Sequence, residues 1–338
     1  MRIDGKGLID RTKPVRFRFD GKDYAGYKGD TLASALLAND VKLVGRSFKY
    51  HRPRGVLTAG SEEPNALVEI IGASNQTPNV RATVQEVFEG LVTQSQNRLG
   101  SLRFDLLAVN DYLSPFLSAG FYYKTFMWPR AFWEGLYEPI IRRAAGLGSL
   151  SGKHDEGTYE KAFAFCDVLV IGSGPAGLMA ALTAGRAGAD VILAEESHHL
   201  GGRLLSDSGT IGGVPAGDWA VQAVAELQAL PNVRIVARTT VTGAYDNGTY
   251  GALERVGLHK PARPNLPREC FWRIVAKHAV LASGALERPV AFENNDRPGI
   301  MMASAVRTYL NRYGVVPGKR VTLFANTDQA RGVARELM

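Results

Sequence analysis

Cysteine is nearly missing from this chain: two occur in 338 residues, Cys166 and Cys270, and none lies between residues 1 and 165. Two distant thiols in no pairing motif exclude a disulfide framework and any four-thiolate site built from one chain, and they fit a reducing compartment. No apolar run approaches the roughly 20 residues that span a bilayer, and the opening MRIDGKGLIDRTKPVRF has no signal-peptide core, so a cytoplasmic protein without membrane contact is expected. Internal repeats and low-complexity tracts are absent as well. The basic excess is small, 40 Lys and Arg against 33 Asp and Glu for a net +7. It gathers in the first 54 residues, at Arg46, Lys49, Arg52 and Arg54, and lines no helix face. No nucleic-acid partner is therefore expected, and the segment reads as a patch for an acidic cofactor or a partner subunit.

The chain has ordinary globular composition and length enough for two or three units. Its most informative stretch is residues 167–203, DVLVIGSGPAGLMAALTAGRAGADVILAEESHHLGGR. A β-branched apolar run, as in a parallel strand buried on both faces, ends directly in Gly172, Ser173, Gly174, Pro175, Ala176 and Gly177. Gly172 allows the tight turn, Gly174 lets backbone N–H groups approach a pyrophosphate, and Gly177 lets helix pack on strand. The phosphates would sit at the positive end of the following helix. A second strand then ends in Glu195 and Glu196, 18 and 19 residues after Gly177. Carboxylates there accept hydrogen bonds from the adenosine ribose and repel a 2′-phosphate, which points to NAD⁺ or FAD and away from NADP.

Around this unit the chain divides into three. Residues 1–105 read as a β-grasp module, with an alternating strand over 15–20, a turn at Asp20 and Gly21, a return over 22–27, and a helix cap at Asp30 and Thr31. Residues 106–164 read as a helical connector whose aromatics crowd 116–137, including Trp128 and Trp133, and pack on other domains or another chain. Residues 165–338 read as the nucleotide domain. It carries Gly201, Gly202 and Arg203, a helix around 220–230, a strand over 233–236, and a hairpin turn at Asn247 and Gly248. A buried strand over 277–285 and a further apolar strand over 319–324 complete it. That last strand and the helical tail have nothing to cover them, so more chain is expected beyond Met338. No catalytic acid–base pair and no metal site emerge: His51 reads as a surface or interface residue, and His198 and His199, adjacent in sequence, are expected to point apart.

Glycines 172–177 and 201–202 together with residues 280–289, VLASGALERP, resemble the glutathione-reductase-like flavoproteins. Residues 45–55, GRSFKYHRPRG, then 63–68, EPNALV, and 299–314 resemble the α subunits of heterotetrameric sarcosine oxidases. The resemblance implies an α/β, Rossmann-like dinucleotide-binding domain preceded by a β-grasp, ferredoxin-like domain lacking its iron–sulfur cluster. It implies NAD⁺ held by this chain, with FAD as the alternative, and FAD and FMN mainly on a partner subunit. Partners would be β, γ and δ subunits. The activity would be demethylation of sarcosine with O₂ to glycine and H₂O₂, the one-carbon unit passing to tetrahydrofolate as 5,10-methylenetetrahydrofolate. A folate-binding domain would follow. By the same resemblance Ala176 lies in the pyrophosphate turn, Glu195 and Glu196 take the ribose, Ser197 and Arg203 flank the cofactor, and Val241 offers backbone groups to the adenine. Opine or octopine oxidase subunits, a cyanide-forming glycine dehydrogenase and a non-catalytic cofactor scaffold are the alternatives.

Overall fold

The computed structural model describes the chain except residues 73–75, 118–119, 121–125, 127, 147, 149, 153, 264 and 329. Much of the aromatic run 116–137 thus lies outside the described residues. Two sheets organise the rest. In the first, Asp10–Phe19 and Lys22–Lys28 pair through Asp20 and Gly21, both at positive φ, as a two-residue hairpin turn requires. Strand Leu91–Ser95 joins parallel to Asp10–Phe19, and Leu67–Ile71 and Gln76–Arg81 extend the sheet antiparallel. Helix Leu32–Ala38 lies on this sheet. Thr31 and Ser34 close a reciprocal capping box at its start, and all but its last residue are buried. Phe17, Phe19, Leu32, Leu36 and Leu91 form the core.

The second sheet has the order Val233–Val236, Val191–Ala194, Tyr159–Ile171, Glu269–Leu281, Thr249–Glu254, Thr239–Tyr245. Its first four strands are parallel and its last two form an antiparallel meander turned at Asn247 and Gly248. From Val168 onward the central strand is buried or half-buried on both faces. Val170 packs with Leu178 and Leu182 of helix Pro175–Arg186 and with Ala220 and Leu227 of helix Ala216–Ala229, while Leu169 packs with Ile192 and Ile274 on the opposite side.

Several elements differ from expectation. The central strand begins at Tyr159. Residues 319–324 form no strand: Val321, Leu323 and Phe324 are exposed, and no described strand offers them a backbone edge. The strand expected to be buried over 277–285 ends at Leu281, and its last residues, Val280 and Leu281 among them, are exposed. Helix Ala303–Tyr313, inside the span assigned to the nucleotide domain, sends Ala305, Tyr309 and Tyr313 into the core of the first module. The segment 46–54 is no open basic patch either. Arg52 and Arg54 both bind Asp296, at 2.7 and 3.0 Å, and Arg46 donates to the carbonyl of Leu102 at 2.9 Å. His51 is fully buried, with Nδ1 2.7 Å from an equally buried Asp105, and is not a surface residue. Among the described residues no helix is long and apolar enough to cross a membrane.

Candidate dinucleotide site

The phosphate turn follows directly from the strand. At Gly172 the chain leaves Ile171 with φ +99°, and a Cβ there would stand 2.6 Å from the carbonyl oxygen of Ala282 on the neighbouring strand's exit. At Gly177 a Cβ would stand 1.9 Å from the carbonyl oxygen of Gly172, so any side chain would prise the helix from the turn. Beside Gly174 there is open space, since a Cβ would meet nothing within 4 Å. No side chain caps the helix that begins at Pro175. The positive end of its dipole therefore faces the open space beside Gly174, a setting suited to an anion. Pro175 and Ala176 are exposed at its rim.

The two strand-tip carboxylates part company. Glu195 points inward: it is 7% exposed, Oε2 accepts the Ser173 N–H at 2.8 Å and the Ser173 hydroxyl at 2.6 Å, and Oε1 accepts the Ser197 N–H at 2.8 Å. Ser173, fully buried, in turn accepts the Gly201 N–H at 3.0 Å. The pair ties the phosphate turn to the Gly201 and Gly202 turn. Glu196 is exposed beyond the tip. The two carboxylates, both expected at a ribose, thus stand in different settings: Glu195 is bonded to the turn, and Glu196 is exposed. Ser197 accepts Arg312 Nη2 at 2.6 Å, Arg203 is exposed next to the turn, and Val241 stands on the sheet-edge strand two residues past Thr239, whose N–H donates to Glu195 O at 2.8 Å.

Sequence reasoning missed a polar junction between this tip and the first module. Arg238 holds Glu86 through two bonds, at 2.6 and 2.8 Å. Burial works to raise the Glu86 pKa, but the hydrogen bond and charge of Arg238 outweigh it and hold the group below the usual glutamate value. His198 and His199 do not point apart; their rings lie 4.4 Å centroid to centroid. Burial first, and then Arg312, push His198 down to about 3 and His199 down to about 4, and burial with Arg238 pushes His259 down to about 4. All three are neutral at pH 7. No local signal in the sequence marks the junction; in the structure Arg238 is a non-glycine residue at φ +57°. Its partner lies 152 residues away. Among the described residues no group of three or more His, Cys, Asp or Glu could hold a metal ion.

A bare glycine turn opening a helix, an exposed carboxylate at the next strand tip and a returning meander define a dinucleotide-binding oxidoreductase module. Residues 167–262 match the family described as FAD dependent oxidoreductase. Residues 12–98 match the 2Fe-2S iron-sulfur cluster binding domain. The second match overturns the expectation of a cofactor set without an iron–sulfur cluster, because the first module is itself of a cluster-binding family. Residues 1–165 nonetheless contain no cysteine, so the thiolate ligands of such a group are not supplied there, and no chemistry below is routed through it.

The chain is 58% identical over 338 residues to sarcosine oxidase subunit alpha of Rhizobium meliloti (strain 1021), covering 99% of this chain and 34% of that one. It is 36% identical to the protein of the same name from Corynebacterium sp. (strain U-96), covering 97% and 30%. The chain belongs to the family of sarcosine oxidase α subunits. It spans about a third of the length of these relatives. Its fold is shared with a crystal structure of L-proline dehydrogenase from P. horikoshii, at TM-score 0.67 and 23% identity over 99% of this chain and 54% of that one.

Proposed function

We propose that the second module holds the ADP half of a dinucleotide, NAD⁺ or FAD, within a multi-subunit oxidase acting on sarcosine. Supporting this is one observation above the rest: the cradle beside Gly174 is open and uncapped while Glu196 alone projects at the neighbouring strand tip. The backbone of residues 172–177 would bind the pyrophosphate, Glu196 the ribose hydroxyls, and the edge strand at Val241 the adenine. Glu195 takes no part in binding and acts by fixing Ser173. When bound, the dinucleotide supplies hydride chemistry, while this chain contributes position and charge.

The division into residues 1–105, 106–164 and 165–338 and assembly with β, γ and δ subunits belong to the same reading. So does the reaction of sarcosine and O₂ with tetrahydrofolate to give glycine, H₂O₂ and 5,10-methylenetetrahydrofolate. Relatives named as α subunits support partner chains. Denaturing the purified protein and separating the released small molecules by chromatography tests the site. One ADP-containing dinucleotide per chain is expected, its identity distinguishing NAD⁺ from FAD, and release of none would sink the reading.

A further inference from the structure

A loop of the first module reaches the strand tip of the second. Ser61 Oγ donates to Glu196 Oε1 at 2.8 Å, across 135 residues of sequence. The loop that presents Ser61 is clamped on all sides. The buried carboxylate of Glu63 accepts five hydrogen bonds. Oε2 takes the N–H groups of Leu57 and Thr58 and the Thr58 hydroxyl, at 3.0, 2.6 and 2.9 Å. Oε1 takes those of Asn65 and Ala66, at 2.8 and 3.1 Å. Thr83 donates to Gly60 O at 2.6 Å, and Tyr309 Oη donates to Thr58 O at 2.9 Å. Across the junction, Arg255 donates to the backbone carbonyl of Glu196. Both ends of the Ser61–Glu196 contact are therefore held by groups outside it.

We infer that Ser61 is a positioning residue for the nucleotide site: it fixes the rotamer of Glu196 so that the other carboxylate oxygen, which has no partner among the described residues, is aimed at the adenosine ribose. The inference rests on the reading of Glu196 as the ribose carboxylate. Its physical basis is preorganisation. An exposed glutamate samples many rotamers, and a ligand that must immobilise it binds more weakly than one that meets it already fixed. A module classed by its family with iron–sulfur domains thereby supplies part of a nucleotide site it does not itself contain.

The test uses the full chain stripped of its nucleotide and titrated with NAD⁺, FAD and ADP by calorimetry. Ser61→Ala is expected to weaken whichever probes bind by about five- to tenfold, and Ser61→Thr, which keeps the hydroxyl, to stay within about twofold of the parent. Because the serine acts through the carboxylate, Ser61→Ala should add little in a Glu196→Gln background. Thermal unfolding of Ser61→Ala should match the parent, which separates positioning from folding. Unchanged affinity in Ser61→Ala beside a weakened Glu196→Gln overturns the inference and leaves the site reading intact. So does a Ser61→Ala loss that persists undiminished in the Glu196→Gln background. No loss on Glu196→Gln overturns the site reading and the inference together.

Discussion

Two glycine-containing loops, one in each module, use their polar groups in opposite ways. Loop 57–66 of the first module turns them inward, five of them onto the single carboxylate of Glu63. The turn at residues 172–177 leaves its helix uncapped and its space open at Gly174. A buried carboxylate with all its acceptor sites used is a fastener, because any unmet hydrogen bond would cost as much as the contact contributes. An uncapped helix start beside open space is a surface that attracts an anion. Placing the fastener against the binding surface, through Ser61 and Glu196, lets a rigid loop orient an exposed side chain that its own strand tip leaves loose.

The contrast is broken most severely at Gly177. Gly177→Val would drive methyl groups into the Gly172 carbonyl, and a loss of dinucleotide retention exceeding about 100-fold is expected, with roughly 3 kcal/mol of destabilisation. The nucleotide content of the purified variant and its denaturant midpoint check both effects. Glu63→Ala comes next. It strips partners from buried backbone donors at Leu57, Thr58, Asn65 and Ala66, and about 3 kcal/mol of stability should go, near 10 °C in Tm, with the phosphate turn itself unaffected. Retained nucleotide stoichiometry at low temperature, with affinity weakened no further than in Ser61→Ala, would confirm that the phosphate turn outlasts the loop.

A third effect is in acid. His198, His199 and His259 sit at the junction of the modules with folded values near 3 to 4, below their unfolded value of 6.5. The unfolded chain therefore binds protons first as pH falls, and stability present above pH 6.5 drains away between about 6.5 and 3. Glu86, also depressed, loses its contribution in the same direction but only below its unfolded value of 4.5. Tm measured from pH 8 to 4 should fall by several degrees below pH 6.5 in the parent, and the slope should flatten in a His198→Asn, His259→Asn double variant. An equal slope in both would remove the histidines from the account.

Much of the second module was legible in the chain, because its signals are local. The β-branched run, the glycine spacing, the acidic pair and the turn at Asn247 and Gly248 each specify backbone geometry within a few residues. The first hairpin and the Thr31 cap were legible for the same reason. Residues 319–324 misled because apolar alternation needs a neighbouring strand edge to become a strand, and no described strand supplies one. His51 misled because charge in the surrounding loop suggested solvent, whereas Asp105 and Asp296 draw the loop inward. The missing cysteines supported a ferredoxin-like module without its cluster in the cofactor set, while the family of the module is set by its whole fold and not by its ligands.

By itself the sequence determined that a strand, a glycine turn and a helix would make an anion cradle, with Glu195 and Glu196 just past the tip of the next strand. It did not determine which of them faces in. That was decided by packing: the buried hydroxyl of Ser173 takes Glu195, the loop fastened by Glu63 brings Ser61 to Glu196, and helix Ala303–Tyr313 pins the modules by burying its tyrosines in the first and lending Arg312 to Ser197 in the second. Spacing along the chain encodes local backbone geometry. Partners 115 and 135 residues apart are set only when the whole chain has closed its cores.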